Sequence, residues 1–347
     1  MKLKSIKTIC AASIVALATA ASAADAITVV NYGGAVGNAQ KKAWVDPYKK
    51  TTGAEVLAAE YTGDLAKVKA MVETKQVTWD AVEVQSSDVG RGCDDGLFEK
   101  IDWNNIGKKS DFIPEAVTPC GVGSFVWSTV LAYNADRVKG TPNGWKDFWN
   151  VKQFPGKRGM RKEARSNLEF ALMADGVEPK DVYPVLATKV GVERAFKKMD
   201  EIRSHVQWWE AGAQPPQFLA AGDVVMSTAY NGRIDVAQRD GNKSLRVSWA
   251  QSIFDLDYWV IPKGSKNKTA VEKFIAYASS AAPQAEFAKL IAYGPVNVGA
   301  PAKLDAATLT GLPNSQQNRQ SAIQQSLQFW TDHGEELEQR FTAWASK

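Results

Sequence analysis

Histidine is almost missing from this chain of 347 residues: only His205 and His333 occur, and neither stands at a metal-ligand or catalytic-triad spacing. The HExxH helix of zinc proteases, the GxSxG elbow, the Walker loop and the CxxC pair are absent as well. These absences remove the common routes to metal, nucleophilic and phosphoryl-transfer chemistry, so neither a metal site nor a cofactor is expected. An excess of one charge is missing too, since 42 Lys and Arg stand against 38 Asp and Glu with no long basic run. A chain balanced in this way lacks the electrostatic footprint of a nucleic-acid partner. There is no repeat, low-complexity tract or Pro-rich linker, so composition places no domain boundary. Nor does any apolar stretch reach the ~20 residues that a membrane-spanning helix needs.

What is present begins at the N-terminus. Lys2, Lys4 and Lys7 precede an apolar stretch from Ile9 to Ala20, and Ala21-Ser22-Ala23 supplies an Ala-x-Ala cleavage site. Residues 1–23 are expected to be a cleaved secretory signal peptide that sends the mature chain to the periplasm. Removing them takes three lysines, lowering the formal charge from +4 to +1, and one of the three cysteines. Cys93 and Cys120 remain as an even pair in an oxidising compartment, which predicts one disulfide, with two buried free thiols as the alternative. About 320 remaining residues are many for one core and favour two domains. The 12 tryptophans fit either a ring-lined cleft or ordinary core packing.

Short runs rich in Val, Ile and Tyr alternate with helix-period segments, the pattern of an α/β sheet with crossover helices. Strands are expected at 27–32, 54–60, 79–85, 124–134, 224–229, 245–249 and 253–261. Helices are expected at 38–49, 64–74, 167–174, 192–204, 269–279 and 284–291, with amphipathic helices through 316–344. One segment stands out, SIFDLDYWVIP at 252–262, where period-two alternation puts Asp255 and Asp257 on one strand face, roughly 7 Å apart. Two like charges so placed need solvent, a basic partner or a cationic ligand to balance them. A secreted hydrolase using this aspartate pair as acid and base is the reading of another class.

The motifs VVNYGG (29–34), WDAVEVQSSDV (79–89), GWKDFWNVKQFPGKRGM (144–160), EARSNLEFAL (163–172), AYNGR (229–233), FDLDYWVIPKGSKNK (254–268) and AYGPVN (292–297) follow one another along nearly the whole mature chain. In order and spacing they resemble the periplasmic receptors of polyamine-type ABC importers, within the bacterial extracellular solute-binding families. The resemblance implies the type II periplasmic-binding fold: two α/β domains joined by strands crossing near Tyr133 and Asp255, with a ligand cleft at the interdomain hinge. The first domain would hold residues 27–133 and 256–301, the second 134–255 and 302–347. A monomer without enzymatic activity is expected, its partners a small-molecule ligand and the membrane permease of an ABC transporter, which would recognise the closed form.

In polyamine receptors of this kind, carboxylates grip ammonium groups while aromatic rings pack on the methylene chain. By resemblance Asp257 takes the place of the family's carboxylate, whereas Asp255 stands where those receptors have a tryptophan and Ser166 where they have a glutamate. Tyr32, Ser86, Trp127, Tyr230 and Tyr258 are further candidates for the lining, Tyr258 from the opposite strand face. Arg165 and Arg233 lie in motifs near the expected cleft and suit a ligand carboxylate, or else pair with Asp255 or Asp257. The expected ligand is an amine-bearing solute, a polyamine such as putrescine or spermidine. The alternative is a zwitterionic, opine-like or amino-acid-derived amine.

Overall fold

The computed structural model describes residues 26–346, so the expected signal peptide lies outside the described residues. The β-branched runs form strands, where such side chains fit a pleated surface. β1 (Ile27–Asn31) pairs in parallel with β2 (Val56–Glu60) and β3 (Ala81–Gln85). β5 (Arg158–Arg161) pairs in parallel with β6 (Val206–Trp209) and β7 (Met226–Tyr230). Between these sets run two long antiparallel strands, β4 (Gly121–Asn134) and β8 (Leu245–Val260). The order across the sheet is β2-β1-β3-β8-β4-β7-β5-β6, and the short β9 (Ile323–Gln324) pairs with β8.

Two main hydrophobic cores grow on this framework. The first gathers β1, β3, β4 up to Trp127 and β8 from Phe254, around Trp44, Trp259, Phe274 and Phe287. The second takes β4 from Leu131 and packs it with Trp145, Phe148, Phe170 and the C-terminal Trp330, Phe341 and Trp344. β4 and β8 therefore pass through both. A disulfide joins Cys93 to Cys120, with Cα atoms 5.7 Å apart, tying helix Ser86–Asp94 to the start of β4.

Three expectations change. The strands expected at 245–249 and 253–261 are one strand, interrupted by a bulge: Thr129 faces Ile253 but Leu131 faces Ser248, and Gln251 has φ 57°. β5 (Arg158–Arg161) is not among the expected strands, and it opens on an arginine. That arginine is fully buried, its guanidinium donating to the carbonyls of Phe148 (2.7 Å), Phe154 (2.6 Å) and Gly156 (2.8 Å), so backbone acceptors replace water. Of 316–344 only the helix Leu327–Ala345 forms, capped by Ser326 Oγ accepting from the Phe329 amide. Gln324 before it lies in β9, which extends the sheet instead.

Candidate functional site

A cavity of about 760 Å³ lies between the two cores. Its walls come from segments at the carboxyl ends of parallel strands, where an open α/β sheet leaves room for a ligand. Tyr32 and Gly34 follow β1, Tyr61 to Gly63 follow β2, and Gln85 and Asp88 mark the end of β3. On the other side stand Arg161, Glu163 and Arg165 at β5, Glu210 to Ala213 after β6, and Tyr230 and Arg233 at β7. Phe125, Trp127 and Asp257 on the long strands, with Tyr293, complete the lining.

One wall presents a carboxyl group. Asp257 is 5% exposed and accepts a hydrogen bond from Trp127 Nε1 at 2.8 Å. Burial, and then the neighbouring Glu83 charge, hold its carboxyl well above the usual range. Rings frame it: Trp127 meets Tyr230 edge-on with centroids 5.2 Å apart, and Tyr32 stacks on Tyr61 at 5.3 Å. Such rings offer a methylene chain flat apolar faces and an ammonium group a negative π-surface.

The rest of the lining carries three arginines, Arg161, Arg165 and Arg233, beside the carboxylates of Glu163, Glu210 and Glu338. Arg161 donates to the Tyr230 hydroxyl and pairs with Glu163 at 3.1 Å. Arg165 Nη1 donates to Gln85 Oε1 at 2.7 Å, and its guanidinium lies 5.7 Å over the Trp330 ring. Its loop is held by Glu338, which accepts from the amides of Ala164 (2.8 Å) and Arg165 (3.2 Å). Arg233 has no ion pair among the described residues; it is packed so closely that a Cβ on Gly34 would sit 3.0 Å from its Nη1 and one on Gly212 2.8 Å from its Nε. Gly34 also has φ +58°, a conformation glycine adopts without strain. The Nε atoms of Arg165 and Arg233 and the Tyr32 hydroxyl are buried without a hydrogen-bond partner. Each such group costs about 1–3 kcal/mol unless something in the cavity satisfies it.

Of the residues singled out from sequence, Tyr32, Trp127, Arg165, Tyr230, Arg233 and Asp257 line the cavity. Asp255 does not: it shares the strand face of Asp257 but is 1% exposed behind the wall, where Ser86 Oγ donates to it at 2.6 Å and burial pushes its carboxyl up to about 7. The cavity thus lacks the Asp255–Asp257 pair that a two-aspartate hydrolase would need. Tyr258 lies outside the cavity too, its ring in the first core and its hydroxyl donating to the Glu115 carbonyl at 2.7 Å. Neither Arg165 nor Arg233 forms an ion pair with Asp255 or Asp257 among the described residues. Sequence reasoning missed Arg161, Tyr61, Phe125 and Tyr293. Phe125 was within reach, because it shares a strand face with Trp127 by period two, whereas Arg161 ends the strand that Arg158 disguised.

Comparison with known proteins agrees with this architecture. Residues 43–314 match the family described as bacterial extracellular solute-binding protein. The gamma-aminobutyric acid-binding protein of Pseudomonas aeruginosa is 50% identical over 338 residues, covering 96% of each chain. The spermidine/putrescine-binding periplasmic protein of Salmonella typhimurium is 23% identical over 74% of each, so the polyamine likeness is distant. Among solved structures, a GABA receptor superposes with TM-score 0.84 at 37% identity, covering 93% of this chain and 98% of that one. The PBP AgtB of A. tumefaciens R10 in complex with agropinic acid gives TM-score 0.84 at 34% identity, covering 93% and 99%.

Proposed function

Because the chain belongs to the bacterial extracellular solute-binding protein family, whose members bind small molecules and pass them to ABC permeases, we propose that it is a periplasmic receptor for γ-aminobutyric acid (GABA) or a closely related short ω-amino acid. The observation that carries the reading is the polarity of the cavity. Asp257 brings a buried carboxyl to it, and Arg165 and Arg233, neither of them in an ion pair among the described residues, bring guanidinium groups whose Nε atoms have no partner. A zwitterion satisfies both at once, its ammonium against Asp257 and its carboxylate against Arg233 and Arg165. A polyamine supplies ammonium groups alone. It would leave those nitrogens unpaired and set like charges against Arg161, Arg165 and Arg233. The amino-acid-derived amine therefore replaces putrescine or spermidine as the preferred ligand.

An opine-like ligand is the second reading, supported by the volume of the cavity, about 760 Å³, and by the likeness to the agropinic-acid-bound protein. In either case residues 1–23 serve as the secretory signal, and the two cores act as two domains that close on the ligand. In this reading the hinge falls on β4 and β8, the strands that pass through both cores, at the crossings expected near Tyr133 and Asp255. A thermal-shift titration of the mature protein with GABA, putrescine and agropinic acid tests the proposal. A ligand at 100 times its Kd adds ~2.7 kcal/mol to stability. Stabilisation by GABA and not by putrescine is expected, and stabilisation by putrescine alone overturns the reading.

A further inference from the structure

Beneath Asp257 lies a second carboxyl group that the cavity does not expose. Glu83 is fully buried on β3, and Gln85, two residues on, faces Asp257 across the β3–β8 pairing. Glu83 and Gln85 share a strand face, so Glu83 is the diagonal neighbour of Asp257. Its Oε1 accepts from Gln40 Nε2 at 2.6 Å and from Ser124 Oγ at 2.9 Å, while Oε2 has no partner. Gln40 Oε1 in turn accepts from Asn31 at 2.7 Å, and Asn31 Oδ1 accepts from the Gly33 amide at 2.9 Å, so the chain of bonds ends in the turn that carries Tyr32 and Gly34.

We propose, on the basis of the amine reading above, that Glu83 is a positioning residue of the ammonium subsite, and that it shares with Asp257 a proton that leaves for solvent when the ligand's ammonium arrives. The charges balance. Before binding, one protonated and one ionised carboxyl carry a single negative charge; afterwards two carboxylates and one ammonium carry the same. A buried pair of ionised carboxylates without that cation is the arrangement that low dielectric penalises most. The groups facing the pair leave this balance in place. Asp255 on β8 acts in the same direction as Glu83 on Asp257, and the tyrosines nearby, Tyr32, Tyr61 and Tyr293, are neutral at pH 7, held above their ordinary value by burial. Arg233 and Arg161 offset only part, since burial still pushes Glu83 up to about 8.

The ligand contributes no proton of its own, because an aliphatic amine titrates near ~10 and a carboxyl near ~4. Titration calorimetry of GABA into the mature protein at pH 7, in phosphate and in Tris, reads the release directly as the dependence of heat on buffer ionisation. Release of about one proton per GABA is expected, with affinity rising up to about tenfold per pH unit where the pair titrates. In Glu83→Gln the amide oxygen keeps the bonds from Gln40 and Ser124, while the shared proton is gone. Its proton release and the pH dependence of its affinity should both fall well below those of the unaltered protein, since Asp257 then keeps only the effect of burial and loses that of Glu83. Equal heats in the two buffers for the unaltered protein would overturn the inference and leave the GABA reading standing, as would a release unchanged by Glu83→Gln. Failure to bind GABA at all would overturn both.

Discussion

On the proposed function, the ammonium of GABA rests on Asp257, and Asp257→Asn is the sharpest test of it. Asparagine has the same shape, and its Oδ1 still accepts from Trp127 Nε1, so the wall stays in place and only the charge is lost. Truncating one partner of a buried charge pair costs ~2–5 kcal/mol. Part of that is offset here, because burial and Glu83 hold the Asp257 carboxyl well up and the wild-type protein must first ionise it. The lower half of the range is therefore expected, ~2–3 kcal/mol, or about 30- to 150-fold in Kd. Without ligand the effect has the opposite sign. A carboxyl raised in the folded state contributes stability at low pH that is lost as pH rises through the folded value, so the asparagine variant should be at least as stable as wild type near neutrality. Titration calorimetry with GABA and with butyrate, which lacks the amine, separates the effects: GABA should weaken and butyrate should not. A loss for GABA below about threefold, or equal losses for both ligands, refutes the assignment of Asp257 to the amine.

Arg233→Ala should weaken GABA by ~1.5–3 kcal/mol, about 10- to 150-fold, while leaving n-butylamine unaffected; the same calorimetry decides it. Gly212→Ala puts a Cβ 2.8 Å from Arg233 Nε and 2.9 Å from the Tyr230 ring, so it should weaken ligand binding by ~1–3 kcal/mol with the fold retained by circular dichroism. Replacing Cys93 and Cys120 together by serine opens a loop of 27 residues and should lower stability by ~3.5 kcal/mol, read from urea unfolding with and without reductant. Glu169 is fully buried against Tyr183 and Trp330, and burial pushes its carboxyl up to about 7. Its contribution is present below about pH 4.5 and is lost as pH rises toward 7, so Glu169→Gln should flatten the fall in unfolding free energy across that window.

Local pattern by itself determined the α/β alternation, most strands of the first core, the helix Asn167–Ala174 to the residue, and the period-two face that carries Asp257. It also marked Cys93 and Cys120 as a pair, and the two residues that anchor the proposed ligand, Asp257 and Arg233, stood in legible motifs. Those features rest on side-chain periodicity and residue type, which a sequence carries openly. Tertiary structure alone decided the rest. Asp255 and Asp257 are indistinguishable by periodicity, yet one points at Ser86 behind the wall and the other into the cavity, because β3 and β4 flank β8 differently at each position. β5 was illegible because the acceptors that satisfy Arg158 are carbonyls of Phe148, Phe154 and Gly156, fixed by a turn that only folding creates. On the proposed function, the preference for a zwitterion over a polyamine rests in part on which nitrogens lack a partner, and partners are set by contacts between segments far apart in the chain.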